Sequence, residues 1–280
     1  MTELPRGILK ALGLPSHSVA RKMAGGSQTP VWCVDAGERR YAIRLGPAAR
    51  EADIDREAHA LRAARLGGIP VPEVLRVQVV GTFACLLTTW CPGETVASAV
   101  LGDRADPARL GEVCGRMQAQ IHTIDVPAAL GSANAGWLRP TPDEEGLLAR
   151  VAPRQTSRLL HLDFHPLNIL TDGERVTGVV DWVNAGAGDP RQDLARTLAI
   201  LRLDLPPDVI SSPGALARVE ALSDAWAKGY KKVAGDLEHM DLFMAWAGIV
   251  TLRDVAPKRP PDVVRSMQTV VASWVEVASV

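Results

Sequence analysis

His161-Leu162-Asp163-Phe164-His165-Pro166-Leu167-Asn168-Ile169-Leu170 is the stretch on which the reading of this chain turns. It sets an aspartate and an asparagine five positions apart in a short polar loop that runs into an apolar pair. Thirteen residues beyond Asn168, Val179-Val180-Asp181-Trp182 places a second aspartate at the end of another apolar run. Asp172-Gly173 between the two runs is a turn signal, so the segment is predicted to be a β-hairpin. Asn168 and Asp181 then fall roughly symmetrically at its open end, where their oxygens can converge on one hard cation. Mg²⁺ takes oxygen ligands and usually keeps one or two protein groups beside phosphates and water. A carboxylate to receive a hydroxyl proton, with two oxygen ligands to hold Mg²⁺ on phosphates, is the set that phosphoryl transfer from a nucleotide needs.

The rest of the chain limits the alternatives. Its 280 residues, 47% apolar, are enough for one large domain or two smaller lobes. A net charge of −1 argues against a dedicated nucleic-acid binder, which would carry a basic surplus. No apolar run approaches the roughly 20 residues of a membrane span. Met1 to Arg6 holds no apolar signal core, so a cytoplasmic protein without a membrane partner is expected. Cys33, Cys85, Cys91 and Cys114 form no CxxC pair and read as small buried hydrophobes in a reducing compartment.

Along the chain, residues 1–90 are strand-rich with one helix, and residues 91–280 are mainly helical. Val31 to Val34 and Tyr41 to Leu45 make a hairpin around Asp35-Ala36-Gly37. Glu51 to Leu66 places Ile54, Ala58, Leu61 and Ala64 at helical spacing and ends at Gly67-Gly68. Val71 to Val80 and Thr82 to Thr89 follow as strands. After Cys91-Pro92-Gly93, helices are expected over Pro107–His122, Asp143–Val151, Pro190–Leu203, Gly214–Val233, Leu237–Asp254 and Pro261–Val277, interrupted only by the 160–182 hairpin. The expected fold is α+β and bilobal, with a ligand cleft between the lobes.

These residues resemble the aminoglycoside-phosphotransferase and choline-kinase group, small-molecule relatives of the protein kinases. The resemblance runs from about Gly25 to Ile200. It is strongest in His161 to Asn168, Asp181-Trp182 and Gly188-Asp189-Pro190-Arg191-Gln192-Asp193-Leu194-Ala195. It implies a bilobal protein kinase-like fold, with a nucleotide-binding lobe over 1–90 and a catalytic, substrate-binding lobe over 91–280. By that resemblance Asp163 is the catalytic base or hydroxyl-orienting group, and Asn168 and Asp181 are the Mg²⁺ ligands. His161 would brace the loop, and His165 would lie near the transferred phosphate. Asp193 would be a capping or loop-bracing acid, and His122 structural. Gly25, Gly26 and Ser27 resemble the turn over the nucleotide phosphates, where glycine lets N–H groups come close. Tyr41-Ala42-Ile43-Arg44 resembles the strand whose alanine roofs the adenine and whose cation binds phosphates. Strand alternation puts Ala42 and Arg44 on one face. Glu57 resembles the helix glutamate that pairs with that cation. Thr89, Trp90 and Cys91 resemble the link that offers main-chain groups to the base, which leaves ATP and GTP equally open.

Two departures stand out: Arg44 where the best-known pattern has lysine, and Leu162 where the loop usually has glycine. An arginine keeps its charge and can grip phosphate with a planar fork. The implied activity is Mg²⁺-dependent phosphoryl transfer to a hydroxyl of a small molecule, with amine-bearing acceptors among the candidates. The alternative is a catalytically impaired, pseudokinase-like nucleotide-binding module. A third reading takes His161, Asp163 and His165 as ligands of a hydrolytic metal. The acceptor stays open among aminoglycosides, amino alcohols, choline-like amines and sugars. Asp143-Glu144-Glu145 reads as a helix first turn before it reads as an acidic wall. Trp226, Trp246 and Trp274 read as core before they read as a cage for a quaternary amine. The oligomeric state is unknown.

Overall fold

The computed structural model describes residues 3–5, 7–23, 30–131, 141, 146–147 and 157–279. Gly25, Gly26, Ser27, Asp143, Glu144 and Glu145 lie outside the described residues. In the N-terminal part an antiparallel sheet runs β1 (Val19–Lys22), β2 (Val31–Ala36), β3 (Arg39–Pro47), β4 (Val74–Val80) and β5 (Phe83–Thr89), in the order β1-β2-β3-β5-β4. Before it comes a short helix, α1 (Ile8–Ala11), and between β3 and β4 lies α2 (Glu51–Leu66), with the bounds its apolar spacing predicts. The strand after α2 starts at Val74 rather than Val71. Pro70 and Pro72 supply no N–H to a ladder, so the chain cannot pair until it has passed them. One face of the sheet closes on α1 through Trp32, Val34, Ile43, Leu45, Cys85 and Leu87. The other face turns Ala42 and Arg44 toward the rest of the molecule.

The remainder is helical: α3 (Val96–Leu101), α4 (Pro107–Ile121), α5 (Pro190–Leu203), α6 (Pro207–Ile210), α7 (Pro213–Ala234), α8 (Met240–Val255) and α9 (Pro261–Ser279). Three of these start alike. Asp106, Asp189 and Ser212 each accept a first-turn N–H with proline next in line, the combination that satisfies an orphan donor and presets φ. Strands enter this half more often than the sequence suggests. β6 (Glu94–Thr95) adds to the hairpin of β8 (Ile169–Thr171) and β9 (Val176–Val179), and β7 (Arg158–Leu160) pairs with β10 (Gly186–Gly188). These pieces are two to four residues long, too short to show a period. Trp226 and Trp246 are buried in the core and Trp274 packs on the cluster of α5, α8 and α9. All four cysteines are free, three of them buried. Among the described residues no helix is long and apolar enough to cross a membrane.

Candidate active site

The hairpin turns as expected, with the Asp172 carboxylate accepting the N–H groups of Glu174 and Arg175 and Gly173 at φ +101. Its register is one step off symmetry. Val180 N–H donates to Asn168 O at 2.9 Å, with a bulge between Leu170 and Thr171. Asp181 therefore lies one residue beyond the position opposite Asn168. It takes φ +65, and both residues border one cleft.

That cleft, about 390 Å³, lies between the sheet and the hairpin. The sheet side supplies Ala42 and Arg44, the helix α2 supplies Glu57, and the link supplies Thr89, Trp90 and Cys91. Thr89 N–H is bound by Glu73 O and Trp90 N–H by Arg40 O. Pro92 has no N–H, and the amides of Cys91 and Gly93 make no hydrogen bond among the described residues. The link is pressed on the hairpin: a Cβ on Gly93 (φ +109) would come 2.5 Å from Thr171 O, and one on Gly178 would come 2.6 Å from Cys91 Cβ. Glycine at both positions is what lets the two segments touch.

Arg44 sits between two carboxylates. Its Nη2 is 3.0 Å from Asp181 Oδ1, and its Nε is 3.2 Å from Glu57 Oε2. The second contact is close enough for an ion pair but poorly aligned, and Oε2 has no hydrogen-bond donor. Burial pushes the Glu57 carboxyl up to about 7, against Arg44 and the Trp182 N–H, which pull it down. One guanidinium shared by two carboxylates cannot offset the desolvation of both. Burial alone would lower the Arg44 pKa, but Glu57 and Asp181 raise it, so the cation is secure.

The loop from His161 to Asn168 is held from behind. Asp193, on the first turn of α5, accepts His161 N–H and Leu162 N–H at 2.9 Å each and His122 Nε2–H at 3.0 Å. His122 in turn accepts the Tyr230 hydroxyl at Nδ1, 2.7 Å away. Burial pushes Asp193 up, yet these donors prevail and hold it below the usual carboxylate range. His161 Nε2–H donates to Val180 O (3.1 Å), its Nδ1 receives Asp163 N–H (3.3 Å), and burial keeps the ring neutral by lowering its pKa. Leu162, buried, takes φ +63. The left-handed backbone that glycine would adopt freely is thus still made, held by the Asp193 carboxylate.

Asn168 joins loop and cleft. Its Nδ2 donates to Asp163 O (3.0 Å) and Asp163 Oδ2 (3.2 Å), which leaves Oδ1 as its open oxygen. Leu167 N–H donates to His165 Nδ1, so the proton on Nε2 faces Asp163 Oδ1 at 3.5 Å. Burial pushes the Asp163 carboxyl up, but His165, His161 and the buried Arg196 outweigh it and lower its pKa. Asp163 and His165 are not on the cleft wall. His165 borders a separate apolar cavity, its ring tied to its own loop. Among the described residues no three His, Cys, Asp or Glu side chains cluster to hold a metal. The hydrolytic-metal reading therefore lacks a donor set, with His161 turned to Val180. The amide of Asn168 and the carboxylate of Asp181 do suit Mg²⁺, which needs few protein ligands. Sequence reasoning did not find Arg196, nor the chain of Gln118 Nε2, Thr197 Oγ1 (2.9 Å) and Phe164 O (2.8 Å) that props the loop. Nothing local signals contacts across so many residues.

A family model described as the phosphotransferase enzyme family matches residues 19–151 and 137–235. The hygromycin-B 4-O-kinase of Escherichia coli is 26% identical over 218 residues, 64% of this chain and 62% of that enzyme. This chain thus aligns with less than two thirds of that relative's length. The crystal structure of aminoglycoside phosphotransferase APH(4)-Ia superposes with a TM-score of 0.64 at 17% identity, covering 96% of each chain. Spectinomycin phosphotransferase APH(9)-Ia, solved with ADP and spectinomycin, gives 0.61 at 12%, covering 100% of this chain and 99% of that one. These likenesses show the bilobal kinase-like fold. With its loop, hairpin and most of its length matched, the chain belongs to the phosphotransferase enzyme family.

Proposed function

We propose that this protein transfers the γ-phosphoryl group of ATP or GTP to a hydroxyl of a small molecule. The observation that supports this most is the linkage of four groups: Asn168 bonded to Asp163, and Arg44 paired with Asp181, with Asn168, Asp181 and Arg44 on one cleft. Residues 1–90 would bind the nucleotide, and 91–280 would carry catalysis and the acceptor. The base would lie against Ala42 with its edge at the Cys91 N–H, and Gly25, Gly26 and Ser27 would cover the phosphates. Arg44, positioned by Glu57, would bind phosphate oxygens. Asn168 Oδ1 and the Asp181 carboxylate would hold Mg²⁺, which when bound neutralises phosphate charge. Asp163, ionised at neutral pH, would orient the acceptor hydroxyl and take its proton, with His165 steadying the carboxylate. Positioning and charge would supply most of the rate.

The test follows labelled γ-phosphate from ATP and from GTP onto hygromycin B, other aminoglycosides, choline-like amines, amino alcohols and sugars. Asp163→Asn should fold and lose transfer by on the order of 10²-fold or more. Near-normal turnover in that variant would sink the assignment. The pairing of Arg44 with Asp181 favours a second reading, a nucleotide-binding module, since it occupies one oxygen of a proposed metal ligand. A thermal shift with nucleotide that ignores Mg²⁺, together with no transfer to any acceptor, would favour the module.

A further inference from the structure

Beside the catalytic loop lies a second cavity of about 140 Å³ that shares no lining residue with the nucleotide cleft. His165, Pro166 and Leu167 form one side of it, and Leu101, Leu205 and Val209 form much of the rest. The remaining wall is apolar except for Asp204, whose carboxylate is already bound by Arg259. Leu101 and Leu167 are 39% and 61% exposed, so hydrocarbon reaches solvent from both sides of the cavity. Its size is close to that of an apolar cavity of about 150 Å³ that takes a benzene ring. Its place matters as much as its lining. One imidazole separates it from the catalytic carboxylate, since His165 borders it and sits 3.5 Å from Asp163.

We propose that this cavity is the acceptor subsite for an apolar substituent, a ring or chain of about six carbons next to the reacting hydroxyl. A polycationic aminoglycoside ring would find no free carboxylate here, because Arg259 neutralises Asp204. A hydrocarbon group would gain by leaving water, and its length fixes how far the hydroxyl is from Asp163. The preference is for an amphiphilic alcohol over a uniformly polar sugar. This inference rests on the phosphoryl-transfer reading above for the use made of the subsite.

The test uses the whole chain and the 1-amino-2-alkanols from propanol to decanol. Dissociation constants are read by ligand-observed NMR with a non-hydrolysable ATP analogue, and kcat/KM by labelled phosphate with ATP. Binding should tighten about fourfold per methylene until the cavity is full, then level off. Val209→Trp, which fills the cavity, should flatten the series. Leu101→Asp, at a solvent-facing position, should weaken the long members while the fold survives. Asp163→Asn should lose transfer while the dependence of binding on chain length stays. Binding independent of chain length in the wild type overturns the subsite, as does an unchanged series in folded Val209→Trp and Leu101→Asp. Transfer to hygromycin B with a flat alkanol series would overturn the subsite alone. A length-dependent binding series with no transfer to any acceptor would keep the subsite and overturn the transferase reading.

Discussion

Two ionic networks flank the loop from His161 to Asn168, and they are built on opposite plans. Behind it, Asp193 is wholly buried and accepts three hydrogen bonds, from His161, Leu162 and His122. In front, Arg44 serves both Glu57 and Asp181, and Asp181 keeps a quarter of its side chain exposed. The rear network has a donor for each oxygen and nothing left over. The front network has one cation for two anions and an open side toward the cleft. A closed network fixes geometry, because any loss strands a buried polar group. An open one can exchange partners when a phosphate or cation arrives.

The sharpest way to break this contrast is at Asp193. Asp193→Ala should cost about 3–5 kcal/mol, as expected for removing one partner of a buried ionic network. Chemical denaturation reads this directly, and a loss below about 1 kcal/mol, the worth of one ordinary hydrogen bond, would mean the rear network is not what holds the loop. Asp181→Asn should do the reverse. Transfer should fall on the order of 10²-fold, with a midpoint temperature close to wild type. Smaller still, Arg44→Lys keeps the charge but gives up the fork over two carboxylates. The expected change is roughly tenfold in KM for the nucleotide, the worth of one charge-assisted hydrogen bond. An unchanged KM would show that the guanidinium geometry is not used.

Acid should separate the networks most gently. His161 and Asp193 both have folded pKa values below their ordinary 6.5 and 3.8, so the unfolded chain binds protons first. Their stabilisation is present above those values and is lost as pH falls, His161 first, below 6.5. Glu57 has the opposite sign. Raised from 4.5 to about 7, it favours the folded state at low pH, and that contribution is lost as pH rises through 7. Glu57→Gln should therefore flatten the decline in midpoint temperature between pH 5 and 8 that its carboxyl causes, without altering the acid limb set by His161. A pH profile identical to wild type would show that Glu57 ionises in the folded state as it does in solvent.

Much of this was legible in the chain because it is local. Asp163, Asn168 and Asp181 sit within one loop and one hairpin, and their spacing carries their relation. The helices over 51–66 and 190–203 were legible to the residue, since a capping residue or a double glycine marks the ends. The edge strand Val19–Lys22 was not, because three of its four side chains face solvent and leave no apolar period. Nor was the place of His165 beside a second, apolar cavity, which depends on how its ring bonds within the loop. The brace from Gln118 through Thr197 joins residues 79 apart and has no signature at either end.

The left-handed leucine at position 162 has a consequence for the order in which activity appears. An L-residue with a branched side chain gains nothing by taking that conformation alone, so the loop has no reason to close until the first turn of α5 presents Asp193. A partly folded chain would hold Asp163 on the wrong backbone. Competence to move phosphate would then emerge late in folding, together with the docking of a helix that does not line the cleft, and newly made protein would stay silent until its architecture was complete.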